Sequence, residues 1–63
     1  MHSRDIIKLL EAAGWRKVSQ KGSHVQFKRN QGEGRVTVKH PDSDVPVGTQ
    51  KSIEKQSGVK LRN

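Results

Sequence analysis

The chain has 63 residues, room for one small domain over residues 1–63, and only 29% of them are hydrophobic. Thirteen Lys and Arg against six Asp and Glu give a net charge of +7, a balance that points to a polyanionic partner. The absence of cysteine excludes a disulfide framework and a thiolate metal site, and fits a reducing cytoplasm. No apolar run has the length of a membrane span, and the first residues carry no signal-peptide core, so neither a membrane partner nor secretion is expected.

Residues 3–13 read as a helix, with Ser3 as its N-cap and Asp5 in the first turn, where the helix dipole favours negative charge. Ile6, Leu9, Leu10 and Ala13 recur at helical spacing and form one apolar stripe, widened by Ile7. Gly14 suits the left-handed position that ends a helix. Trp15 to Gln20 reads as a first strand, but Trp15 and Val18 do not alternate cleanly, which leaves its register open. Lys21-Gly22 signals a short hairpin turn into a second strand from about Ser23 to Arg29. Asn30-Gln31-Gly32-Glu33-Gly34 reads as the next turn, and Arg35 to Lys39 as a third, cleanly alternating strand.

His40-Pro41 ends the sheet, because proline cannot donate to a ladder. Residues 41–48 read as a loop. Thr49 is the expected N-cap of a second helix from about Gln50 to Ser57, ended by Gly58. Ile53 is its clearest core residue, with Val47, Val59 and Leu61 flanking it, and Lys51 and Lys55 share its solvent face.

This order predicts an α+β fold, α-β-β-β-α, with a three-stranded antiparallel sheet and two helices on one face, like a double-stranded RNA-binding domain. Val18, Val25, Phe27, Val36 and Val38 are expected to face the helices. The other face is left polar and basic, with His24, Gln26, Lys28, Arg35, Thr37 and Lys39. Trp15, beside the helix-ending Gly14, suits a buried anchor better than a base-stacking platform.

A basic face binds nucleic acid by releasing counterions from phosphates, without sequence choice. A histidine on that face widens the chemistry, because an imidazole exists in either protonation state near neutral pH. Beside an RNA strand, His24 can take the proton of a ribose 2′-hydroxyl, or protonate the departing 5′-oxygen. Cations nearby can stabilise the charge that develops on phosphorus. On spacing alone, one histidine without a visible acid–base partner fits an exposed strand residue that contacts water or phosphate better than a catalytic group. His2 reads as a terminal, mobile residue, and His40 as a loop-closing one. Ser23 adjoins His24 but belongs to the opposite strand face, so the two do not form a nucleophile pair. Three dispersed histidines match no structural zinc pattern, and neither a metal nor a small-molecule cofactor is expected.

Several segments together resemble the HicA family, small mRNA interferase toxins of type II toxin–antitoxin systems. They are Ser3-Arg4-Asp5-Ile6-Ile7-Lys8-Leu9-Leu10, Gly14-Trp15, Lys21-Gly22-Ser23-His24 with Phe27, Val36-Thr37-Val38 with His40-Pro41, Gly48-Thr49 with Ser52-Ile53, and Lys55-Gln56-Ser57-Gly58-Val59. The resemblance implies a metal-independent endoribonuclease acting on mRNA and neutralised by a HicB-type antitoxin. It implies that His24, the histidine of the Gly-Ser-His motif, is catalytic, and that Gly22 supplies the tight turn before it. Lys21, Gly22, Ser23, Lys28, Arg35 and Lys39 are the expected RNA-binding set. Val25, Lys39 and Gln50 depart from residues common in the family, and Gln50 is expected to thin the contact at the start of the second helix. Two other readings stay open: an RNA-binding module that uses the same face without catalysis, and a basic face that serves an acidic protein.

Overall fold

A computed structural model describes residues 1–29 and 34–61. Its elements run α1 (Ser3–Ala12), β1 (Trp15–Lys21), β2 (His24–Arg29), β3 (Val36–Lys39) and α2 (Val47–Ser57). The three strands form one antiparallel sheet in the order β1-β2-β3. α1 packs on β1 and β3, and α2 on β3, so the arrangement is that of a double-stranded RNA-binding domain. Of the second predicted turn, Asn30 to Gly34, residues 30–33 lie outside the described residues, and Gly34 has φ +100°.

α1 starts differently from the sequence expectation. His2, in extended backbone conformation, is the N-cap, and its Nδ1 accepts from the Arg4 N–H at 2.9 Å. Ser3 lies inside the helix, fully buried. Its N–H donates to the Asp42 carbonyl at 2.8 Å, its Oγ accepts from the Asp42 N–H at 2.9 Å, and Oγ lies 2.7 Å from His40 Nδ1. The β3–α2 loop therefore supplies the partners that a cap would have supplied, and the serine ties the helix start to that loop. The buried line of α1 is Ser3, Ile6 and Leu10, at i, i+3 and i+7. It is narrower than the predicted stripe, for Leu9 is 37% exposed and Ala13 lies outside the core.

β1 settles the register that alternation left open. Trp15 pairs with Arg29 and Lys17 with Phe27, then the register skips Val18 and resumes with Ser19 opposite Gln26. With Trp15 and Lys17 on the inward face, alternation turns Val18 outward, so it is 42% exposed and does not face the helices as predicted; the bulge then reverses the phase and brings Ser19 and Lys21 to the open face. Trp15 takes the inward position at 2% exposure, as expected, and the Arg29 guanidinium stacks 4.7 Å from its ring centroid. Lys21 is the last residue of β1, and the hairpin loop is Gly22-Ser23. Gly22 has φ +59°, a conformation that glycine adopts without steric cost and that matches the twist of a two-residue hairpin.

Val25, Phe27, Val36 and Val38 face inward and are buried, as their alternation predicts. They meet Ile6, Leu10, Trp15, Ile53 and Leu61 in one core cluster. Val45 joins this cluster from the loop, where no periodic pattern marks it for burial. Its N–H donates to the Met1 carbonyl at 2.8 Å, a second tie between the loop and the N-terminal segment.

α2 begins at Val47, two residues before the predicted Thr49 cap. Pro46 takes the N-cap position, its φ of −58° already suited to helix entry, and its carbonyl accepts from Gln50 N–H at 2.9 Å. Val47 points outward at 53% exposure rather than into the core. Gln50, Ile53 and Ser57 form the buried line, again at i, i+3 and i+7. Gln50 does not thin the contact: it is buried, and its Nε2 donates to the Val45 carbonyl at 2.9 Å. Gly58, at φ +72°, ends the helix as predicted.

Candidate nucleic-acid interface

The helices cover one face of the sheet and leave the other open. On β2, Val25 and Phe27 are committed to the core, so His24, Gln26 and Lys28 must project from the open face. The pairing register then decides which side chains accompany them. His24 lies opposite Lys21 on β1 and opposite Lys39 on β3. Directly opposed residues in antiparallel strands bring their Cβ atoms to about 4.5–5.5 Å, so His24 stands in a row between two lysines. Lys21, His24 and Lys39 are all exposed. Among the described residues, no hydrogen-bond partner occupies the His24 ring.

The next rung along the face is neutral: Ser19, Gln26 and Thr37. Gln26 is half-buried, and its Oε1 accepts from Arg35 Nη1 at 2.7 Å. Beyond it, Lys28 pairs with Arg16, and a second cationic rung closes the row. Successive same-face residues on a strand are about 6.6–6.8 Å apart, so the two cationic rungs stand about 13 Å apart.

The site residues expected from the sequence therefore divide. Lys21, His24, Lys28 and Lys39 share the open face. Gly22 and Ser23 form the loop that turns the chain into His24, and the Ser23 carbonyl accepts from His40 N–H at 2.7 Å, which extends the β2–β3 ladder. Arg35 lies just before β3 and reaches the face through Gln26. Arg16 and Ser19 belong to this face too, and sequence reasoning missed them. The inward demand of Trp15 was the available clue to Arg16, its neighbour on the opposite face, whereas the assignment of Ser19 needed the bulge at Val18.

His40 stands apart from this surface. Its half-buried ring meets Ser3 Oγ, and His2 lies edge-on to it with centroids 6.4 Å apart. His2, expected as a mobile terminal residue, is instead half-buried and caps α1. Among the described residues, no group of three or more His, Cys, Asp or Glu could hold a metal ion. Among them, too, no helix is long and apolar enough to cross a membrane.

A small open sheet with helices on one face and a cationic, histidine-bearing surface on the other defines a protein of the double-stranded RNA-binding-domain type. The family model described as the HicA toxin of bacterial toxin–antitoxin matches residues 3–59, nearly the whole chain. The chain belongs to this family, and an mRNA-interferase-type function in a toxin–antitoxin system goes with that membership. The match includes every element and every residue of the open face named above. A comparison with curated proteins finds no match.

Proposed function

We propose that this chain is an mRNA interferase, a metal-independent endoribonuclease in which His24 is the general acid/base, held in check in the cytoplasm by a HicB-type antitoxin. The observation that carries this reading is the exposed His24 imidazole between Lys21 and Lys39 on an otherwise open sheet face. The two lysines, with Arg16 and Lys28 farther along, draw in the phosphates of a single strand. Neutral His24 removes the proton of a ribose 2′-hydroxyl. The 2′-oxygen attacks the adjacent phosphorus, the bond from phosphorus to the 5′-oxygen breaks, and that oxygen gains a proton from solvent or from an imidazolium. The products are a 2′,3′-cyclic phosphate and a 5′-hydroxyl end. Positioned proton transfer of this kind contributes about 10²–10⁴-fold. The ammonium groups beside His24 stabilise the charge that builds on the phosphoryl oxygens. The nucleophile belongs to the substrate, so DNA is left intact.

An antitoxin that neutralises this surface would cover it with carboxylates, whose complementary charge also speeds encounter. A second reading, an RNA-binding module without catalysis, draws on one feature: His24 is the sole histidine placed on the open face among the described residues. One experiment separates the two. Purified protein with chelator is incubated with single-stranded RNA and with the matching DNA. Fragments from RNA alone, lost in His24→Ala while its far-ultraviolet spectrum is retained, support the enzyme. An intact but shifted band supports the binder, and cleavage by His24→Ala at the parental rate removes His24 from the mechanism.

A further inference from the structure

The rung between the two cationic rows has no evident task in phosphate binding. Ser19, Gln26 and Thr37 carry no charge, and they lie where the nucleotide between two gripped phosphates must pass. Gln26 differs from its two neighbours in being half-buried and held. Arg35 Nη1 donates to its Oε1 at 2.7 Å. A guanidinium has donors only, so the amide cannot flip without losing this bond, and its oxygen stays on the Arg35 side. The amide nitrogen is thereby turned away from Arg35, and among the described residues no acceptor meets it.

We propose that Gln26 is a specificity-determining residue for RNA, donating through its Nε2 to an acceptor on the edge of a nucleobase, with Arg35 as the positioning residue that sets its orientation. The proposal rests on the reading of the open face as an RNA surface. A phosphate is the weaker candidate for this donor, because the rungs on either side carry Lys21 and Lys39, and Lys28 and Arg16, whose cationic groups outcompete a neutral amide for an anion. A base carbonyl or ring nitrogen is neutral, and single-stranded RNA offers such edges unpaired. A fixed donor accepts bases with an acceptor at that point and rejects those that present an amino group. Ser19 and Thr37 hydroxyls rotate and serve either partner, so they do not discriminate in this way.

The test uses the full chain in two assays. Cut ends are mapped by sequencing after limited digestion of a random-sequence RNA pool, for the parent, Gln26→Leu and Gln26→Glu. Binding of four homopolymeric RNA oligonucleotides is measured by fluorescence anisotropy, with His24→Ala in the background to prevent cleavage. The expected parent profile favours particular bases at one position near the cut by about tenfold. Gln26→Leu flattens that position, judged on the normalised distribution whatever the total rate. Gln26→Glu, whose carboxylate also pairs with Arg35, disfavours the parental base. An unchanged distribution in both variants overturns the proposal, as does a parent with no base preference in either assay. If the parent binds RNA but never cuts it, the catalytic reading fails, while the homopolymer series still decides the role of Gln26. If it neither binds nor cuts RNA, both fall together.

Discussion

Replacing Ser3 by alanine tests the tie between α1 and the β3–α2 loop. The substitution removes one buried oxygen and leaves a good helix former in its place. Two interactions go with it: the bond from Asp42 N–H at 2.9 Å and the contact with His40 Nδ1 at 2.7 Å. Each hydrogen bond contributes about 1 kcal/mol net, and an orphaned buried partner costs about 1–3 kcal/mol. Asp42 and His40 are half-buried, so water takes over part of the loss, and about 2 kcal/mol is the expected total. A chain of 63 residues has roughly 3–9 kcal/mol of stability in all, so this is a large share of it. The thermal midpoint by far-ultraviolet circular dichroism should fall by about 10 °C. His40→Ala should destabilise less when Ser3 is already alanine, with a coupling of about 1 kcal/mol in the double-mutant cycle. RNA cleavage by the folded fraction should persist, because Ser3 lies on the helix side of the sheet. A midpoint equal to the parent's, or strict additivity with His40→Ala, would show that the serine does not hold the loop.

The bulge in β1 makes a paired prediction. Val18→Thr should change stability by less than about 0.5 kcal/mol, while Val36→Ala, fully buried, should cost about 2 kcal/mol in urea denaturation. A large loss at Val18 would restore it to the core. At Gly22, an added Cβ meets nothing within 4 Å, but φ is +59°, so Gly22→Ala should cost about 1 kcal/mol through backbone strain alone. Gly22→Asn, whose side chain tolerates the left-handed region, should cost less by the same denaturation measurement. Lys39→Gln should weaken binding of single-stranded RNA and lower the slope of log K against log salt by about 0.7, read by anisotropy titrations at several salt concentrations. An unaltered slope would place Lys39 outside the phosphate contacts.

The local signals in the chain were enough to define the element order, the two helix-ending glycines at 14 and 58, and the outward direction of His24. Each depends on neighbours a few residues away: β2 alternates strictly because Val25 and Phe27 must be buried, and that alone turns His24 and Lys28 to the open face. What lay beyond reach depends on partners distant in sequence. Ser3 has the chemistry of a helix cap, but Asp42 and His40 claim its hydroxyl from 39 and 37 residues away, and His2 takes the cap instead. Val45 is buried by the way the loop folds back, without a periodicity of its own, and its carbonyl there supplies the partner that lets polar Gln50 be buried. Val18 could face the core only if Trp15 gave it up; Trp15 keeps it, and the bulge that follows Lys17 then turns Ser19 and Lys21 to the open face. The same register sets Lys21 and Lys39 on either side of His24. Composition and alternation thus determine that this protein has a basic face carrying a histidine. Only strand pairing, a contact between segments far apart along the chain, decides which cations stand beside it.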